Sequence, residues 1–96
     1  MKSIWDEVKR NRNFRKHGLD FADAVEVLDS RYRMDVAVVR KGETRTQSFS
    51  YAPVFLAVLT VVHTECDDAT RVISFRPANK KEREMYYGWL ETENSK

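Results

Sequence analysis

Three groups of side chains in this 96-residue sequence have the types and spacing to do chemistry. In Arg15-Lys16-His17-Gly18, two cations adjoin an imidazole. Histidine titrates nearest neutral pH and moves protons, while lysine and arginine hold phosphates. The same residues also complement free carbonyls at a helix end, and spacing alone favours neither use. The second group is Arg71-Val72-Ile73-Ser74-Phe75-Arg76, followed by Lys80 and Lys81. Strand alternation puts Val72, Ser74 and Arg76 on one face, and Arg71, Ile73 and Phe75 on the other. Arg71 then either pairs with a carboxylate, for which Glu65 across a hairpin is suited, or faces a cleft. Arg76, Lys80, Lys81 and the positive end of a helix starting near Lys80 would together attract a phosphate. The third group is His63, Glu65, Asp67 and Asp68. His63 and Glu65 share a strand face, which suits an acid–base pair or a hard cation, although carboxylates are also ordinary turn residues.

Other chemistries lack their residues. Three isolated glycines do not build a phosphate loop, and one cysteine with two distant histidines lacks zinc spacing. No cofactor or metal is expected.

The elements that must position these groups can be read from caps and periodicity. Asp6 is placed to cap a helix from Glu7, with Trp5, Val8 and Phe14 as a thin apolar stripe and Gly18 as its stop. Asp20 caps a second helix whose Phe21, Ala24, Val25 and Leu28 form a buried face. Period-two patterning then gives strands over 34–39 and 44–50 around an Arg40–Glu43 turn, a central strand over 54–64, and a last strand over 70–76. Asn79 and Glu82 form a capping box for a C-terminal helix carrying Met85, Tyr86, Trp89 and Leu90. The order predicts an α+β fold: two N-terminal helices, a four-stranded antiparallel sheet and a C-terminal helix, in a single domain over residues 1–96.

Composition narrows the class. Apolar residues make up 42% and charged residues 33%, too apolar for a disordered tail and too charged for a membrane protein. The longest apolar run, Ala52–Val62, is broken by Pro53, and the N-terminus lacks a secretory apolar core. Lone Cys66 fits a reducing cytoplasm. Net charge is only +2, but residues 1–18 sum to +4, 19–30 to −4, 31–45 to +3, 46–70 to −3 and 71–84 to +3. Such blocks are compatible with a basic face for a polyanion, or with a solvated surface of mixed sign.

Trp5-Asp6, Lys9, Asn13 and Arg15-Lys16-His17-Gly18, with Phe21 and Ala24, resemble the opening of the BrnT family. Gly42-Glu43-Thr44-Arg45, Val61-Val62-His63-Thr64-Glu65, Arg71 to Arg76 and Ala78 to Glu84 followed by Tyr86 are similar to its later segments. The family comprises toxins of type II toxin–antitoxin systems. The resemblance implies a RelE-like fold and metal-independent endoribonuclease activity that halts translation. It also implies a ribbon-helix-helix (BrnA-like) antitoxin, with operator DNA met only through the antitoxin complex. His17, Arg71, Arg76 and Glu65 are then the expected catalytic residues, with Arg15, Lys16, Lys80 and Lys81 on the RNA. An inactive homologue acting as a binding partner or corepressor, and a nucleic-acid-binding regulator, are the alternatives.

Overall fold

In the computed structural model, which describes residues 2–94, Asp6 is extended and caps α1 (Glu7–His17). Its carboxylate accepts from the N–H groups of Val8 at 2.8 Å and Lys9 at 3.2 Å. Gly18 ends the helix at φ 71°, left-handed backbone that costs glycine little, and its N–H donates to Phe14 O. The expected apolar stripe is not what anchors α1, because Val8 and Phe14 are exposed. The buried residue of this helix is polar Asn13. Asp20 accepts from Ala22 N–H as expected, and also takes the Arg10 guanidinium at 2.8 and 3.0 Å, which ties α1 to the next segment.

That next segment differs from a plain second helix. A 3-10 turn, Phe21–Ala24, runs into the short α2 (Val25–Leu28). The tighter 3-10 winding shifts the phase of the buried face, so Val27 is buried beside Leu28 while Val25 is exposed.

Among the described residues the sheet has five strands, not four, and it is mixed. β2 (Met34–Arg40), β3 (Glu43–Ala52), β4 (Ala57–Cys66) and β5 (Ala69–Pro77) form the expected antiparallel meander. A short β1 (Lys2–Ile4) adds parallel to β5 through Lys2–Ala69, Ser3–Thr70 and Ile4–Arg71, giving the order β1-β5-β4-β3-β2. Val54 belongs to a turn and not to the central strand: Phe55 N–H donates to Ala52 O and Leu56 N–H to Pro53 O, so pairing restarts at Ala57.

One irregularity reorganises β5. The register with β4 shifts between Val62, opposite Ser74, and His63, opposite Val72. Ile73 is thereby left as the extra residue of a β-bulge. The bulge resets the alternation expected for this strand. Val72 and Phe75 lie on the core face with Val61, Leu59, Phe21, Val27 and Leu28. Arg71, Ser74 and Arg76 share the opposite face. On that second face, α3 (Lys80–Asn94) packs Tyr86 onto Met34, Phe49 and Val58, and the Tyr86 hydroxyl donates to Tyr32 O at 2.8 Å. The capping box forms as expected: Asn79 N–H donates to Glu82 Oε1 and Glu82 N–H to Asn79 Oδ1. No helix among the described residues is long and apolar enough to cross a membrane.

Candidate active site

Asn13 fixes the geometry that matters most. Its Nδ2 donates to Phe75 O at 2.7 Å and to Leu19 O at 3.1 Å, and its Oδ1 accepts from Phe75 N–H at 3.2 Å. The side-chain amide therefore pairs with the edge of β5 as a strand's peptide would. β1 covers that edge only as far as Arg71, so Ile73 and Ser74 lie between the end of β1 and the Asn13 bridge. A cavity of about 250 Å³ sits there, lined by Lys9, Arg12, Asn13, Lys16, His17, Ile73 and Ser74.

This cavity brings together part of what the sequence singled out. Lys9, Arg12 and Lys16 fall at i, i+3 and i+7, one stripe of α1. Among the described residues none of the three has a carboxylate partner. His17 makes no hydrogen bond there, so both ring nitrogens are uncommitted. Burial pushes its pKa below the ordinary 6.5, and the positive charges of Lys16 and Arg76 push the same way. Its imidazole is therefore neutral at pH 7. Arg15, two positions before His17, does not line the cavity.

Arg76 meets a carboxylate. Its Nη1 and Nη2 donate to Glu82 Oε1 and Oε2, both at 2.8 Å, and Nη1 also donates to Pro77 O. Glu82 accepts further from Gln47, and Arg76 holds its carboxyl below the usual range. The anion drawn to the α3 N-terminus is thus the protein's own Glu82. The Nε–H and one Nη2–H of Arg76 remain without a partner among the described residues, a parallel fork suited to a phosphate. Lys80 and Lys81 sit exposed in the first turn of α3 and line none of the cavities described.

Arg71 does not pair with Glu65. The register sets Arg71 opposite Thr64 and Glu65 opposite Thr70, so the two side chains leave opposite faces of the sheet. Arg71 is half exposed, and its nearest carboxylate is Glu43 at 3.6 Å. Glu43 also accepts from Arg45 at 3.4 Å. A second cavity of about 240 Å³ opens among Asp6, Lys9, Glu43, Arg45, Arg71, Val72 and Ile73. Three basic blocks of the sequence each supply a cation here: Lys9 from α1, Arg45 and Arg71; Arg76 does not line this cavity.

Glu65 belongs to a different constellation on the core face. The Arg33 guanidinium grips Asp35 at 2.8 and 3.0 Å, and Ser48 Oγ lies 2.7 Å from Asp35 and 2.8 Å from His63 Nε2. His63 Nδ1 is 3.0 Å from Glu65 Oε1, and Thr70 donates to Glu65 Oε2. His63 is 1% exposed. A neutral His63 that donates to Glu65 leaves the single Ser48 proton to two acceptors, Asp35 and Nε2. Asp67 and Asp68 form the turn beyond, and no group of three or more His, Cys, Asp or Glu among the described residues is placed to hold a metal. Burial is the largest influence on His63 and lowers its pKa from 6.5, against the hydrogen bond to Glu65 that raises it. Arg33 acts with burial, while the Glu65 and Asp35 charges oppose it. A base with a depressed folded pKa binds fewer protons in the native state, so its contribution is intact above pH 6.5 and is lost as pH falls through the folded value. Urea denaturation is therefore expected to show stability declining from about pH 7 to about pH 5, with a flatter curve for His63→Gln. Stability that rises on acidification would show the missing proton outweighing burial.

The fold and this site define a small α+β protein with a cationic, histidine-bearing cleft at the edge of its sheet. Residues 5–82 match the family described as ribonuclease toxin, BrnT, of type II toxin-antitoxin system. The chain belongs to the BrnT family of ribonuclease toxins. With membership come RNA as the substrate class and an antitoxin as partner. No curated protein matches the chain.

Besides Lys9 and Asn13, which entered only through the family resemblance, two contributors to the cleft, Arg12 and Ser74, had no part in the chemistry read from the sequence. The spacing of Lys9, Arg12 and Lys16 was the available signal for the first. For Ser74, the bulge that turns it toward α1 left none.

Proposed function

We propose that this chain is a metal-independent endoribonuclease of RelE-like fold, working in the cytoplasm as a single domain over residues 1–96 and halting translation by cleaving RNA. A ribbon-helix-helix antitoxin neutralises it, and the chain meets operator DNA only through that complex. The observation that carries the reading is the uncommitted, neutral imidazole of His17 in a cavity walled by cations and free of carboxylates.

In the reaction His17 takes the proton of a ribose 2′-hydroxyl, and the 2′-oxygen attacks the adjacent phosphorus. Charge gathering on the phosphorane oxygens is met by Lys16 and the free fork of Arg76, while Arg71 stands in the adjoining cavity. The 5′-oxygen leaves with a proton from the Lys16 ammonium, giving a 2′,3′-cyclic phosphate and a 5′-hydroxyl. Glu65, on the other face, steadies His63 and takes no part. Arg15, Lys80 and Lys81 add surface charge around the cleft.

Induction of the chain alone in a bacterial host tests the reading. Growth arrest, with RNA fragmentation by the purified protein that persists in EDTA, is the expected result. Normal growth with a folded product would sink it in favour of an inactive binding partner. Arg76→Ala should keep the fold and lower cleavage by about 10²-fold. A fully toxic Arg76→Ala would remove that residue from the site.

A further inference from the structure

The two cavities are neighbours: Lys9 and Ile73 line both. Along α1, Lys9 and Lys16 stand seven residues apart on one stripe, a rise of roughly 10 Å. The His17 end has Lys9, Arg12 and Lys16 without a carboxylate in the lining. At the other end Arg45 and Arg71 share one loosely held carboxylate, Glu43, at 3.4 and 3.6 Å. The remaining acid there, Asp6, is committed to the cap of α1. Lys9, Arg45 and Arg71 against Asp6 and Glu43 leave one positive charge in the lining at that end. The bulge at Ile73 forms the floor between them.

We infer that this stripe is a track for two consecutive phosphodiesters of single-stranded RNA. The cavity at His17 takes the scissile phosphate, and the cavity at Lys9, Arg45 and Arg71 takes its neighbour. The assignment of the scissile position rests on the proposed ribonuclease activity, whereas the two-phosphate track does not. Single strands are selected because in-line attack by a 2′-oxygen needs a backbone free to rotate, which a duplex denies.

Two substrates and a binding probe separate these statements. The probe is a fluorescein-labelled 12-nucleotide RNA, 2′-O-methylated so that it is not cleaved, used alone and annealed to its complement. Lys9→Ala and Arg45→Ala should each weaken single-strand binding by about three- to tenfold and reduce the slope of log affinity against log salt by about 0.7. Arg31→Ala, an exposed cation beside Tyr32 and outside both cavities, should change neither. A dinucleoside monophosphate has no second phosphate, so Arg45→Ala should cleave it as wild type does while losing kcat/KM on the unmodified 12-nucleotide RNA. Unchanged salt slopes in both variants would overturn the track even if wild type cleaves RNA. A wild type that binds with the expected slopes but never cleaves would leave the track standing and remove the ribonuclease reading. Equal cleavage of the unmodified 12-nucleotide RNA alone and annealed to its complement would overturn the preference for single strands.

Discussion

His17→Ala is expected to lower the rate of RNA cleavage by about 10²–10⁴-fold, the range a positioned general base supplies. The fold should survive, because His17 closes the last turn of α1 without a hydrogen bond of its own among the described residues. The pH dependence makes the assignment specific. Burial, Lys16 and Arg76 hold the His17 pKa below 6.5, so kcat/KM for wild type should rise with pH along a limb whose midpoint lies below that value. The limb should vanish in His17→Ala. A variant that keeps it places the titrating base elsewhere. Toxicity on induction should track the same loss.

The second large effect is on the scaffold. Asn13→Ala strands the N–H and C=O of Phe75 and the C=O of Leu19, all buried where Asn13 met them. At about 1–3 kcal/mol for each buried group left unpaired, less the gain from alanine's better helix propensity, the net cost is about 3 kcal/mol. For a domain of ordinary stability that is a large fraction of the total. Urea denaturation should show the midpoint falling with little change in slope. Asn13→Asp keeps the acceptor for Phe75 N–H but loses both donated bonds, and it sets a negative charge in the cationic cavity. It should cost stability and depress RNA binding together. An Asn13→Ala protein as stable as wild type would show that α1 docks by other means.

Much of the frame was legible because it is written locally. Asp6, Gly18 and the Asn79–Glu82 box are short-range chemistry, and each stands where its residue type requires. The four-strand meander followed from alternation and turn residues. What was missed depends on distant partners. β1 has three residues and exists only because β5 offers an edge 67 positions later, so nothing in Lys2–Ile4 announces it. The bulge at Ile73 arises from register with β4, and it reverses the side of the sheet read for half of the last strand. The pairing of Arg71 with Glu65 failed for the related reason that the hairpin register sets Thr70, not Arg71, opposite Glu65. The site was legible in part. His17 and Lys16 carried visible types at a helix end, and Arg71 and Arg76 share the face that borders the cleft. Glu82 as the partner of Arg76 was visible only as a cap. The charge blocks were read without direction, and it took the sheet to bring three of them to one side.

The amide of Asn13 has a further consequence. The imidazole on α1 and the guanidinium on β5 are joined through a few buried hydrogen bonds, with no long loop or hinge between them. The distance between imidazole and guanidinium is therefore set by the sheet edge itself. Such a site does not open and close like a lid. In the proposed reaction it stands assembled before RNA arrives, and heat that loosens α1 from the edge is expected to remove RNA cleavage and the fold in the same step.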